Sequence, residues 1–196
     1  MKQIAAGLIA ITVLSFSQVD AQQRRQASPE GTASVQVANG WIDIVHGKPI
    51  LRGRTNIFGS GADYGKTLFD GGTVWRAGAN VSTRLRNEMP LEIGGKRLPP
   101  GELVIVIDLK SEKDWTFVLT SQSYALTYDP QNTKDLYGAY NYRPDNDVAR
   151  APMRVEALPN TVEQLMWWFT DVTPAGGTMR VAWDKVTASV PFKILK

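Results

Sequence analysis

The chain has 196 residues, with 22 Lys and Arg against 19 Asp and Glu, one His and no Cys. Lack of cysteine excludes disulfides, thiolate catalysis, zinc-thiolate sites and a lipidated-cysteine anchor, and a single histidine excludes a triad or a two-histidine metal site within one chain. The formal net charge of +3 comes from bases scattered among acids, a pattern of solvated surface rather than of nucleic-acid binding.

The N-terminus carries Lys2, an apolar run from Ile4 to Leu14, a polar stretch, and then Val19-Asp20-Ala21. Small or β-branched residues at −3 and −1 suit signal peptidase, so residues 1–21 read as a signal peptide cleaved after Ala21 and the chain as periplasmic or secreted. A run of roughly 11 apolar residues falls short of the ~20 that span a bilayer, which predicts no stable membrane insertion after cleavage. Residues 22–31 form a polar, flexible lead, and residues 32–196 read as a single domain. About 165 residues suffice for a core without staples, because a domain near this size buries roughly 70% of the surface its unfolded chain exposes.

Short β-patterned runs follow. Val35 and Val37 alternate with polar neighbours, Asn39-Gly40 supplies residues that tolerate φ > 0, and Trp41, Ile42, Ile44 and Val45 resume the pattern, which predicts a hairpin. Met89 to Ile93 and Lys96 to Leu98 flank Gly94-Gly95, and Pro99-Pro100-Gly101 provides the next turn. The run from Leu103 to Leu109 is nearly all β-branched or Leu, as in a central strand covered on both faces. Trp115 to Thr120 returns after a reversal at Ser111 to Asp114. The C-terminal third offers Met153 to Leu158, Glu163 to Thr173, Thr178 to Asp184 and Val186 to Ile194. Glu163 to Thr173 reads as a strand from its aromatic content, although helical spacing is also open. Pro191 marks an edge or a bulge. About ten strands and no convincing amphipathic helix predict an all-β fold, an antiparallel β-sandwich, jelly-roll-like or partly closed into a barrel. Two long loops interrupt it, Asn56 to Gly72 and Ser121 to Asp147.

Few residues carry a recognisable chemistry. His46, after an alternating strand, reads as a strand-end surface residue. Asp145-Asn146-Asp147 has oxygen ligands but lacks the Gly and distant Glu of a calcium loop, and reads as a turn. Phe58-Gly59-Ser60-Gly61 is not a nucleophile elbow, and Gly65-Lys66-Thr67 matches only the end of a phosphate loop. Five tyrosines between Tyr124 and Tyr142 form either a stacking platform for sugars or protein, or a cap that folds back over one end of the sandwich. The stretch Thr73 to Asn80, TVWRAGAN, fits neither strand nor helix periodicity. Arg52 and Arg54, spaced to share one side of an extended segment, could converge with Trp75, Arg76 and Asn80 into a pocket for a carboxylate or phosphate. The same residues could instead tie loops to the body through backbone carbonyls.

Several motifs in order resemble one family: RGRTNIFG (Arg52 to Gly59), DYGK (Asp63 to Lys66), VWRAGAN (Val74 to Asn80), GGKRLPPGE (Gly94 to Glu102), WTFVL (Trp115 to Leu119), YGAYNY (Tyr137 to Tyr142) and VPFKI (Val190 to Ile194). Together they resemble the bacterial secreted proteins of domain-of-unknown-function family 2911. The resemblance implies an exported all-β domain and brings no reaction, ligand or catalytic residue. Two departures are a longer Gly-rich connection, TLFDGGT (Thr67 to Thr73), and ELVIVID, where an aromatic is often found.

Three functions are consistent with this reading. The first is a non-enzymatic binding domain for a polar or anionic ligand, a glycan or a peptide, built on Arg52, Arg54, Trp75, Arg76 and Asn80. The second is a carboxylate-dependent hydrolase using residues such as Asp63, Asp145 and Asp147. The third is a structural or interaction protein of the cell envelope. No catalytic residue, cofactor or metal is expected for the first.

Overall fold

The computed structural model describes residues 27–37, 39–69 and 72–196. The expected signal peptide and most of the polar lead therefore lie outside the described residues. The described residues form ten strands in two antiparallel sheets that do not close into a barrel. Strands β1 (Glu30–Val37), β2 (Gly40–Gly47), β3 (Thr83–Asn87), β6 (Gly101–Leu109), β7 (Trp115–Thr120) and β8 (Asp147–Pro152) lie in that spatial order in the first sheet. The second has the order β5 (Lys96–Leu98), β4 (Leu91–Ile93), β10 (Gly176–Ile194), β9 (Arg154–Thr173).

Period-2 alternation explains the core. Ile42, Ile44, Leu85, Ile105, Ile107, Phe117 and Leu119 of the first sheet share one buried cluster with Leu91, Ile93, Leu165, Trp167, Val181 and Val190 of the second. Burying each such side chain fully stabilises the fold by roughly 1.5–3 kcal/mol.

Strand β6 is covered on both faces, as its composition predicts. Its Val104 and Val106 join Val118, Val74, Leu136 and Ala139 in a separate cluster against which Tyr124 and Tyr142 pack. The Tyr-rich loop therefore folds back on the domain, but over the outer face of the six-stranded sheet rather than over one end of the sandwich. Gln122 pins it from inside: its Nε2 donates to the Lys134 and Asn141 carbonyls, and its Oε1 accepts from the Arg143 amide.

The β4–β5 hairpin turns on Gly94 (φ 57°) and Gly95 (φ 74°), as the Gly-Gly pair requires. Glu163 to Thr173 is strand, not helix. Where two short C-terminal pairs are expected, β9 and β10 run on as one long hairpin, and the expected breaks survive as irregularities in it. Asp184 pairs with Val162 and Val186 with Ala157, so residues 158–161 stand opposite Lys185 alone. Pro159 lies in that excursion, where no ladder requires its missing N–H. Pro191 is not on an edge strand, since β10 lies between β4 and β9. It falls past the last β9 pair at Ser189 and before the first β4 pair at Lys193, so its missing N–H again costs no ladder bond.

Candidate functional site

The segment from Lys48 to Leu51 leaves β2 and crosses to the second sheet, where it bonds β9. Leu51 N donates to the Glu163 carbonyl, Leu165 N donates to the Pro49 carbonyl, and Arg52 N donates to Glu163 Oε1 at 2.8 Å. Arg52 (φ 53°) and Gly53 (φ 79°) then turn the chain sharply, closed by Arg54 N on the Leu51 carbonyl. This corrects the expectation of an extended segment with Arg52 and Arg54 on one side. The Gly-rich loop beyond holds itself in place: Gly59 N donates to the Asn56 carbonyl, Gly65 N to the Phe58 carbonyl, and Thr67 Oγ1 to the Ile57 carbonyl.

Between this loop and the β9 excursion opens a cleft of about 770 Å³. Its apolar walls include Leu51, Phe58, Tyr64, Val155 and Val186. Phe58 and Tyr64 stack at 6.2 Å between ring centroids and both pack on Trp115. Tyr64 accepts a 3.0 Å hydrogen bond from Trp115 Nε1. Burial pushes the Tyr64 hydroxyl up to about 12, against the Trp115 bond, which lowers it, and with Glu112, which raises it further. Tyr64 thus stays protonated at neutral pH, and no acceptor for its proton lies among the described residues.

The deepest charge in the cleft is Asp184. It is 7% exposed, holds a left-handed φ of 52° in the middle of β10, and accepts one long bond of 3.4 Å from the Ile57 amide. No ion pair reaches it among the described residues. The left-handed conformation is one that Asp adopts more readily than most residues, at a cost of order 1 kcal/mol. Of the other carboxylates of the cleft, Glu163 accepts from Arg52 N, Glu156 is paired with Arg154 at 2.9 Å and with Arg180 at 3.8 Å, and Glu112 is exposed to solvent, so Asp184 is the buried one.

The structure brings together four of the five residues expected to form an anion pocket. Arg54, Trp75, Arg76 and Asn80 line a shallower hollow of about 320 Å³, which Arg52 does not join. Trp75 is not available as a ligand platform there. It is 2% exposed, bridges its backbone to Ile107 of β6 in both directions at 2.8 Å, and stacks on Trp183 at 6.5 Å and 8°. Arg54 directs Nε to the Leu51 carbonyl and Nη2 to the Ile50 carbonyl, with its guanidinium over Trp183. Arg76 Nη1 donates to the Asn80 carbonyl, its guanidinium lies over Tyr140, and Asn80 Nδ2 donates to the Ser28 carbonyl. Ala77 (φ 49°) and Asn80 (φ 61°) are both left-handed, and the Ala77 carbonyl accepts from Trp167 Nε1 and Thr83 Oγ1. Thr73 to Asn80 is thus a pinned structural turn at the hollow's edge.

Other candidates separate. Asp63 is exposed and pairs with Lys66 at 2.8 Å, while Asp147 accepts from Tyr142 and Arg150 at 2.7 Å each. Neither these nor Asp145 lines the cleft, so the three carboxylates considered for hydrolysis do not converge there. His46 is buried at 3%, not on the surface. It sits at the end of β2, opposite Gly31 of β1, where Ala79 closes on the neighbouring Gly47. Burial lowers its pKa, its Nδ1 lies 3.2 Å from the Ile44 carbonyl, and its Nε2 has no hydrogen-bond partner among the described residues.

A family model described as a protein of unknown function, DUF2911, matches residues 28–192. The chain belongs to that family. No curated protein and no solved structure matches it. In this DUF2911 protein the cleft draws on RGRTNIFG and DYGK for one wall and on the hairpin β9–β10 for the other. The longer TLFDGGT connection supplies Thr67 and Leu68 to the shallow hollow. Sequence reasoning missed Asp184, Thr161, Glu156 and Val186. The available signal was Asp184-Lys185 interrupting an apolar strand run, which marks a bulge.

Proposed function

We propose that this DUF2911 protein is an exported, non-enzymatic binding domain whose polar small-molecule ligand occupies the cleft between Arg54 to Tyr64 and the β9–β10 hairpin. Support for export lies in residues 1–21. Support for binding lies in one observation above the rest: the cleft opens onto a buried carboxylate that has no charged partner among the described residues. Its volume is in the range of small-molecule sites, and its mostly apolar walls with a few polar groups have the composition such sites share. The cleft is favoured over the hollow at Arg76 because the arginines there already serve backbone carbonyls and aromatic rings.

The test is amide chemical-shift mapping with fragments spanning sugars, amines, carboxylates and neutral aromatics. The expected result is a set of shifts confined to Arg54, Phe58, Ser60, Tyr64, Thr161 and Asp184 to Val186, abolished by Ser60→Trp. Ser60 is exposed with an extended backbone, so the new indole fills the cleft mouth without straining the chain. Shifts centred on Arg76 and Asn80, or none for any fragment, overturn the proposal.

A further inference from the structure

The charge arrangement inside the cleft narrows the ligand. Three cationic side chains line it, Arg54, Lys113 and Lys185, yet none reaches Asp184 as an ion pair. Lys113 and Lys185 are exposed, and their flexible stems let the ammonium groups stay in water. Arg54 is held away by its two carbonyl bonds and its position over Trp183. Asp184 is therefore a buried carboxylate facing a space that a mobile cation of the chain could enter but does not. The carboxylate has no ion pair among the described residues, so a cation arriving from outside meets it without displacing a charge of the chain, inside a cleft where attraction is screened less than at an open surface. Beside it Phe58 and Tyr64, 4% and 6% exposed, show a small part of their rings to the cleft next to the partly exposed Val155 and Val186, an apolar wall for the body of a ligand.

We infer that the ligand carries an ammonium group on an apolar or aromatic body, with the ammonium bonded to Asp184 and the body against Phe58 and Tyr64. This inference rests on the cleft being the binding site, and it reverses the charge expected from the arginine motif. Asp184 sits at a register shift of β10, where its carboxylate reaches the Ile57 amide across the cleft's inner end.

The test compares three probes of nearly one shape on the wild-type protein, namely phenethylamine, phenylacetate and 2-phenylethanol, by shift-mapped titration up to about 10 mM. Phenethylamine is expected to bind at least about tenfold more tightly than either of the others, with shifts at Phe58, Tyr64 and Asp184. Asp184→Asn is expected to remove that preference while keeping the fold, since Asn also accepts a left-handed φ. Asp171→Asn is the control: Asp171 is equally left-handed (φ 54°) but lies outside the cleft, and its change leaves the preference intact. Equal or tighter binding of phenylacetate or 2-phenylethanol in the cleft overturns the ammonium assignment while the cleft stands as the site. Absence of phenethylamine binding overturns the assignment as well, and shifts from sugars or carboxylates in the same cleft would then show that only the ligand class was wrong.

Discussion

Replacing Tyr64 with Phe removes one oxygen and leaves the ring stack intact. The Trp115 indole is 1% exposed, and its Nε1 has the Tyr64 hydroxyl as its hydrogen-bond partner. The substitution strands that donor, and a buried donor without an acceptor costs about 1–3 kcal/mol. The lost aromatic packing is nil, because Phe keeps the ring and Phe58 still stacks on it at 6.2 Å. For a domain of this size each kcal/mol lowers Tm by roughly 2–4 °C, so the loss is about 2–12 °C, with the urea m-value unchanged. The alkaline limb supplies an independent check. The folded pKa is raised from 10.0 to about 12, so the wild-type group contributes stability that is complete below pH 10 and lost as pH climbs from 10 towards 12. Urea denaturation at pH 8 and at pH 11 measures both effects, and Tyr64→Phe should show the smaller fall between the two. A variant as stable as wild type at pH 8 would mean that solvent in the cleft satisfies Trp115 Nε1, and would refute the reasoning that this donor depends on the Tyr64 hydroxyl.

Three further outcomes are expected. Gly94→Ala and Gly95→Ala both force a side chain into φ > 0, at about 1–2 kcal/mol, but only at Gly94 does the added carbon meet backbone, 2.3 Å from the Arg150 carbonyl oxygen. Urea titration should therefore show Gly94→Ala as clearly the more damaging. Glu102→Gln weakens the group that pairs with the half-exposed Arg86 and lies 3.9 Å from the buried Arg84, for a loss of about 0.5–1 kcal/mol at neutral pH once solvent screening is allowed for. Burial alone would raise the Glu102 pKa, but the Tyr124 hydroxyl, Arg86 and Arg84 outweigh it and hold the group below the usual carboxylate range. Its stabilisation is thus present above the unfolded pKa and disappears as pH falls through the folded one, so acid titration of Glu102→Gln should show a shallower decline than wild type. Trp167→Phe removes the donor to the Ala77 carbonyl at 2.9 Å and should lower stability by about 1–2 kcal/mol in urea, with amide shifts propagating to Gly78 and Ala79.

The strands were legible because each carries its own period. Val104 to Ile107, Ile42 with Ile44, and the Gly94-Gly95 turn advertise their places within a few residues. The long hairpin was legible only in pieces, since Pro159 and Asp184-Lys185 look like strand ends when the partner strand is unseen. The cleft was hidden for a related reason. Its two walls are about 100 residues apart in the chain, and Asp184 looks like the exposed end of a strand until the bulge places it inside. Arg76 and Trp75 drew notice as chemistry because they lack periodicity, yet a turn pinned by carbonyl bonds lacks periodicity too.

Strand β6 separates energetic neighbourhood from chain neighbourhood. Ile105 answers to Trp167 and Val181 through one cluster, while Val106 belongs with Leu136 through the other. Trimming the Tyr-rich loop would thus not shorten a surface ornament. It would turn Val104, Val106 and Val118 into an unroofed apolar sheet face, the kind of surface through which copies of a chain aggregate. Residues 121–146 are insulation, and the sheet beneath them depends on it.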